Sequence, residues 1–382
     1  MKSLLAGAIA GSLFGAVPAR AASEKILYEF KGRSDGAFPV GNLLNVAGTL
    51  YGVTTGAQNL ELLGNVFKVT PSGALKVLYT FKGGTDGAAP AGGLIISRGV
   101  LFGTTTGGSS SDGTVFKMTT EGAETVIHLF MGPGDGAVPV AGVIDVGGTL
   151  YGTTAAGGNA NSGTIFSITS AGVEQVLYAF QPIGGQFDGN APNSALIDIR
   201  GTLYGTTGGC SITCQGAVFQ MPLGGSESLL YPFVSSGEYP AGNLIATKGA
   251  LHGVTSSGGA NGDGTAYKVS LTGSETVLYS FGGGTDGAYP QGGLTRLGTH
   301  YFGTTSQGGG TGCGGGGCGT VFSLTRSGAE KVLYSFNGGS DGASPSGSMV
   351  ALGGKLYGTT MVGGGTGCFS RAGCGTIFEI TP

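Results

Sequence analysis

Residues 86–130 read DGAAPAGGLIISRGVLFGTTTGGSSSDGTVFKMTTEGAETVIHLF. Four short runs stand out: Gly92–Ile96, Leu101–Thr105, Gly113–Met118 and Glu124–Phe130. Each is rich in β-branched and aromatic residues and is bounded by Gly, Asp, Ser or Pro, the pattern of a short strand between tight turns. The unit recurs. The run V-L-Y-x-F centres on Tyr28, Tyr79, His128, Tyr178, Tyr231, Tyr279 and Tyr334, at gaps of 51, 49, 50, 53, 48 and 55 residues. D-G-x-x-P begins at Asp35, Asp86, Asp135, Asp188, Asp286 and Asp341, with a degenerate copy at Glu238-Tyr239-Pro240. L-Y-G-T-T surrounds Tyr51, Phe102, Tyr151, Tyr204, His252, Phe302 and Tyr357. G-T-V-F surrounds Phe67, Phe116, Phe166, Phe219, Tyr267, Phe322 and Phe378.

Four strands in about fifty residues is the size of one propeller blade. The expected fold is therefore all-β: a seven-bladed β-propeller with four antiparallel strands, A to D, per blade. Outside the N-terminus no apolar run follows a helical period. The repeat begins with a lone D strand, Ile26–Phe30, and ends on a C strand, Gly375–Thr381. Pairing the two completes the last blade, closes the ring and covers two sheet edges.

Composition fits this plan. Gly is 83 of 382 residues and supplies the positive φ that many tight turns need. Apolar residues are 40%, in β-type runs, which argues against disorder. A formal net charge of -3 gives no reason to expect nucleic acid or an anionic membrane as partner. Residues 1–21 read as a signal peptide: Lys2, an apolar stretch from Leu4 to Val17, then Ala19-Arg20-Ala21 as a cleavage pattern. That stretch is too short to span a bilayer. Residues 22–382 then form a single propeller domain, expected in the periplasm or outside the cell.

The order L-Y-G-T-T, G-T-V-F, V-L-Y-x-F resembles the GloVer-type tandem repeat of bacterial "choice-of-anchor" surface proteins, over about residues 26–381. The resemblance implies export. It brings no established activity. Many members end in an anchoring segment, whereas this sequence stops at Pro382 after the last strand, so free secretion or a periplasmic home is expected.

Candidate sites fall on loops. In an up-and-down blade the D-to-A and B-to-C connections share one face, and both sets are the longer, more varied ones here, where function usually sits. Asp35, Asp86, Asp135, Asp188, Glu238, Asp286 and Asp341 stand in equivalent D-to-A loops. Such a ring of carboxylates could take calcium or a cationic group. The competing reading is local, since Asp before Gly caps turn N–H groups. Loop aromatics that vary between copies, Phe38, Phe187, Tyr239, Tyr289 and Phe369, are candidate ligand contacts.

Six cysteines pair within B-to-C loops: Cys210 with Cys214, Cys313 with Cys318, Cys368 with Cys374. In an exported chain these read as disulfides. The alternative is zinc held by the four thiolates of the last two loops. His128 and His252 replace repeat aromatics and read, with His300, as packing residues. No nucleophile elbow, phosphate loop or zinc-helix motif is present, and Gly310-x-Gly312-x-x-Gly315 has no helix after it. The function expected is a non-catalytic exported module that binds a glycan, a protein or a surface component. A polysaccharide- or lactone-active hydrolase or lyase, and a purely structural surface protein, are the alternatives. No cofactor is required, and calcium is the one a carboxylate ring would admit.

Overall fold

The structure, a computed structural model, describes residues 22–56, 63–108, 112–169, 171–181, 189–209, 214–234, 236–365, 367–368 and 372–382. Seven antiparallel sheets follow one another around a ring. Blade 2 is typical. Its inner strand comes in two pieces, Ala88–Pro90 and Ile95–Ser97, both against Val100–Gly107. Thr114–Thr119 and Glu124–Leu129 complete it. The inner strand is thus more broken than the sequence implied. The break falls where neighbouring inner strands converge: a Cβ on Gly92 would lie 2.1 Å from the backbone nitrogen of Gly142 in the next blade.

The repeated L-Y-G-T-T and G-T-V-F runs explain each other. Gly103 on strand B sits opposite Phe116 on strand C. A Cβ there would meet Phe116 Cζ at 2.5 Å and Leu94 Cδ2 at 2.8 Å, so only glycine lets the ring lie across the strand. The Phe that ends V-L-Y-x-F then packs edge-on against this ring in the next blade. Phe81 meets Phe116 at 5.2 Å and Phe130 meets Phe166 at 5.1 Å between centroids. Phe281 meets Phe322 at 5.0 Å. Each such pair adds about 1 kcal/mol beyond the area it buries.

The first and last described strands meet. Ser23–Glu29 pairs antiparallel with Thr376–Thr381, from Ser23 opposite Thr381 to Glu29 opposite Thr376. It is the outer strand of blade 7, and its Phe30 packs on Phe67 of blade 1 at 5.3 Å, repeating the contact made at other seams. Disulfides join Cys313 to Cys318 and Cys368 to Cys374, which removes the four thiolates that a zinc site needed. Cys214 is also disulfide-bonded, while Cys210 lies outside the described residues. No described helix is long and apolar enough to cross a membrane.

Candidate functional site

The D-G-x-x-P carboxylates turn inward to their own loops. Asp86 Oδ1 accepts the Tyr79 hydroxyl at 2.6 Å, and its Oδ2 accepts the Lys82 N–H at 2.7 Å. Asp35 accepts from Tyr28 and the Lys31 N–H, Asp286 from Tyr279 and the Gly282 N–H, and Asp341 from Tyr334 and the Asn337 N–H. The Tyr of V-L-Y-x-F is therefore the partner of the Asp seven residues on. Burial first and Asp35 second push the Tyr28 phenol up to about 12, so it keeps its proton and donates. Asp188 lies outside the described residues.

Glu238 departs from the expected equivalence. In blade 5 it is Ser236 that takes the Asp position, 3.2 Å from the Tyr231 hydroxyl. Glu238 instead begins the inner strand Glu238–Thr247. The shortened motif S-G-E-Y-P keeps the loop geometry with a hydroxyl in place of a carboxylate.

Four of these loops meet a second carboxyl from the following outer strand, whereas beside the Asp35 loop that register position holds Leu75. Glu124, Glu174, Glu330 and Glu24 are raised to about 7, first by burial and then by Asp86, Asp135, Asp286 and Asp341 respectively. Sequence reading missed these glutamates, because three of them lie 38 to 44 residues beyond the Asp they face and Glu24 reaches Asp341 only through ring closure. Their recurrence at the start of the outer strands was the available signal.

The loop from blade 2 to blade 3 varies the theme with His128, on the outer strand of blade 2, whose Nε2 lies 3.1 Å from Asp135 Oδ1. The packing role expected of this residue is thus joined by a polar one. Donor atoms of His128, Asp135 and Glu174 lie within 4.8 Å of one another, the one grouping of three metal-ligating side chains among the described residues. An imidazole ligand suits a transition metal better than calcium, which prefers oxygen alone. The other described Asp residues of the set remain in their separate loops rather than converging.

The residue before each Pro adopts a left-handed backbone in all seven copies. Phe38, Ala89, Val138, Ala191, Tyr239, Tyr289 and Ser344 have φ between 49° and 56°. Such a conformation is costly for a side-chain-bearing residue and persists only where its surroundings impose it. Hydrogen bonds do so here. Tyr289 donates its N–H to Asp263 O at 2.9 Å, in the preceding blade, and its carbonyl accepts the Ser306 hydroxyl at 2.9 Å. Tyr239 is held likewise by Gln215 O and Ser256.

What these positions carry differs sharply. Phe38 is buried, packed among the seam residues of blades 1 and 7, and is a core residue rather than a ligand contact. Tyr239 and Tyr289 stand on neighbouring blades and are 47% and 37% exposed. Phe187 and Phe369 lie outside the described residues.

Beside these loops the central channel forms a polar cavity of about 170 Å³. Its asparagines tie blades together. Asn42 Oδ1 accepts the Ser348 N–H at 2.8 Å, Asn243 Oδ1 accepts the Ala195 N–H at 3.0 Å, and Asn193 donates to Pro240 O at 2.8 Å.

Fold and loops together define a seven-bladed propeller with one elaborated face. The chain belongs to the Gloeobacter/Verrucomicrobia repeat family, whose sequence profile matches residues 6–147 and 104–316. No curated protein matches it in sequence. Among solved structures it resembles a puromycin hydrolase mutant, with TM-score 0.53 and 11% identity over 87% of this chain and 51% of that one. An aldose sugar dehydrogenase from Streptomyces coelicolor aligns over 96% and 100% of the two chains, with TM-score 0.46 and 15% identity. A gluconolactonase from Xanthomonas campestris aligns over 90% and 97%, with TM-score 0.44 and 13% identity. Likeness at such identities speaks to the fold alone.

Proposed function

We propose that this protein is an exported, non-catalytic propeller that binds a saccharide through Tyr239 and Tyr289. One observation carries the reading. Of seven equivalent left-handed positions, two on neighbouring blades present large exposed aromatic rings, where the others hold Ala, Val, Ser or a buried Phe. A Tyr ring fixed from its backbone offers a flat apolar face with a polar tip at little entropic cost, which suits stacking on a sugar. The disulfides suit an oxidising compartment, and the signal-like N-terminus supports export. This reading calls for no metal or cofactor.

A glycan array probed with the mature protein should return saccharide hits. Replacing both tyrosines by alanine should weaken those hits at least tenfold. Ala89 and Ala191 already adopt the same backbone, so the double variant should fold with an unaltered melting curve. Undiminished binding by that variant would refute the platform.

A further inference from the structure

The opposite face, made of A-to-B and C-to-D turns, carries one departure from the repeat. Between blades 5 and 6 lies a cavity of about 590 Å³. Lys248, Lys268, Arg296 and Arg326 line it, four of the chain's 18 basic residues, and no carboxylate does. None of the four forms an ion pair among the described residues.

Two core substitutions accompany the charges. His252 stands where the register of the other blades places Tyr51, Phe102, Tyr151, Tyr204, Phe302 or Tyr357. Tyr301 stands where they have leucine, as at Leu101 and Leu150. His252 is 4% exposed, its Nε2 lies 2.8 Å from Thr247 Oγ1 and 3.4 Å from the Tyr301 hydroxyl, and its Nδ1 has no hydrogen-bond partner. Burial, followed by Lys268 and Arg326, lowers its pKa to about 4, so the ring is neutral at pH 7.

The other seams supply internal controls. Between blades 2 and 3 the equivalent cavity is about 190 Å³, with Phe102 and Leu150 in the two core positions. There Asp145 joins Arg98 and Lys117, in the register position that Arg296 fills between blades 5 and 6. Between blades 1 and 2, Lys68 is paired with Glu121 at 3.5 Å. Relative to the blade 2–3 seam, the blade 5–6 seam carries a cation in place of Asp145 and a larger cavity.

From this we infer that the cavity between blades 5 and 6 is an anion-binding site for a sugar-sized molecule bearing phosphate or sulfate ester groups. Four uncompensated cations concentrate positive potential in a partly enclosed space, where it is screened less than on an open surface. The arginines present forks that match oxyanions, and the hydroxyls of Thr247, Ser270 and Tyr301 add donors. The volume falls in the range of small-molecule pockets and exceeds what a bare ion fills.

The test is calorimetric titration of the mature protein, in low salt, with glucose 1,6-bisphosphate, inorganic phosphate and glucose. The bisphosphate should bind at least tenfold more tightly than phosphate, any binding of glucose should be unaffected by the cavity variants, and raising salt should weaken the bisphosphate complex. Lys268→Ala with Arg326→Ala should lower affinity at least tenfold. His252→Tyr with Tyr301→Leu restores the residues of other blades, so it should fold and also lose binding. Tyr239→Ala with Tyr289→Ala should leave this binding intact, which separates the two sites. Equal affinity for phosphate and bisphosphate would overturn the saccharide ester and leave a free-anion site. No binding of either anion at millimolar concentration, or binding indifferent to the cavity variants, would overturn the site itself.

Discussion

Gly292 lies where the inner strands of blades 6 and 7 approach most closely. A Cβ there would stand 2.4 Å from Gly347 O and 2.6 Å from Gly347 C, both backbone atoms that no rotamer change can move. Overpacking of this kind costs about 1–3 kcal/mol. Gly292→Ala should therefore lower the unfolding free energy by about that much and shift the denaturant midpoint downward accordingly, and an unchanged midpoint would mean that the inner strands have room to part. At this scale the sequence is only half legible. Phe38 and Tyr289 occupy one register position and share one backbone conformation, yet one is core and the other exposed. Their difference is set by the neighbouring blade, which no local pattern reveals. His252 and Tyr301 are visible as departures from the repeat, but only the register between blades brings them to one cavity.

The outer strand and the loop beside it form a proton-holding element. Glu24, Glu124, Glu174 and Glu330 have folded pKa values of about 7, above the ordinary 4.5. The folded state thus binds protons that the unfolded chain releases between those two values. Their stabilising effect is complete below about 4.5 and is lost as pH rises through 7. The melting temperature should be higher at pH 5.5 than at pH 8. Replacing all four by glutamine should flatten the profile across that window. An identical melting temperature at both pH values in the parent protein would contradict the assignment. The strands themselves were readable because apolar alternation and Gly-bounded length are local properties. The Tyr–Asp bond spans only seven residues, yet D-G alone does not say whether its carboxylate faces solvent or a phenol. The Glu–Asp pairing crosses a seam and leaves no short-range mark.

Ring closure belongs to the whole molecule. Removing residues 24–31 strips blade 7 of its outer strand and takes Leu27 and Phe30 out of the seam core. Burial of two such side chains is worth about 3–6 kcal/mol together. The truncated protein should melt at least about 5 °C lower than the chain that keeps them. A synthetic peptide of residues 22–31 should restore part of that loss by occupying the vacated edge. Equal melting temperatures would mean that the seam holds without its clasp. Repeat number, strand order and closure were all legible, because a tandem repeat reports its architecture through its period and its leftover half-units. The proposed binding surface was less so, since it depends on which copies deviate and on what those deviations face.

The register of that clasp has a mechanical consequence. Ser23 lies opposite Thr381, so the chain enters and leaves the described ring at the same corner of one sheet. A pull applied between the two ends acts on the first rung of the ladder alone and peels the strands apart rung by rung, rather than loading all of them in shear. Tension between these two ends should therefore open the clasp like a zip.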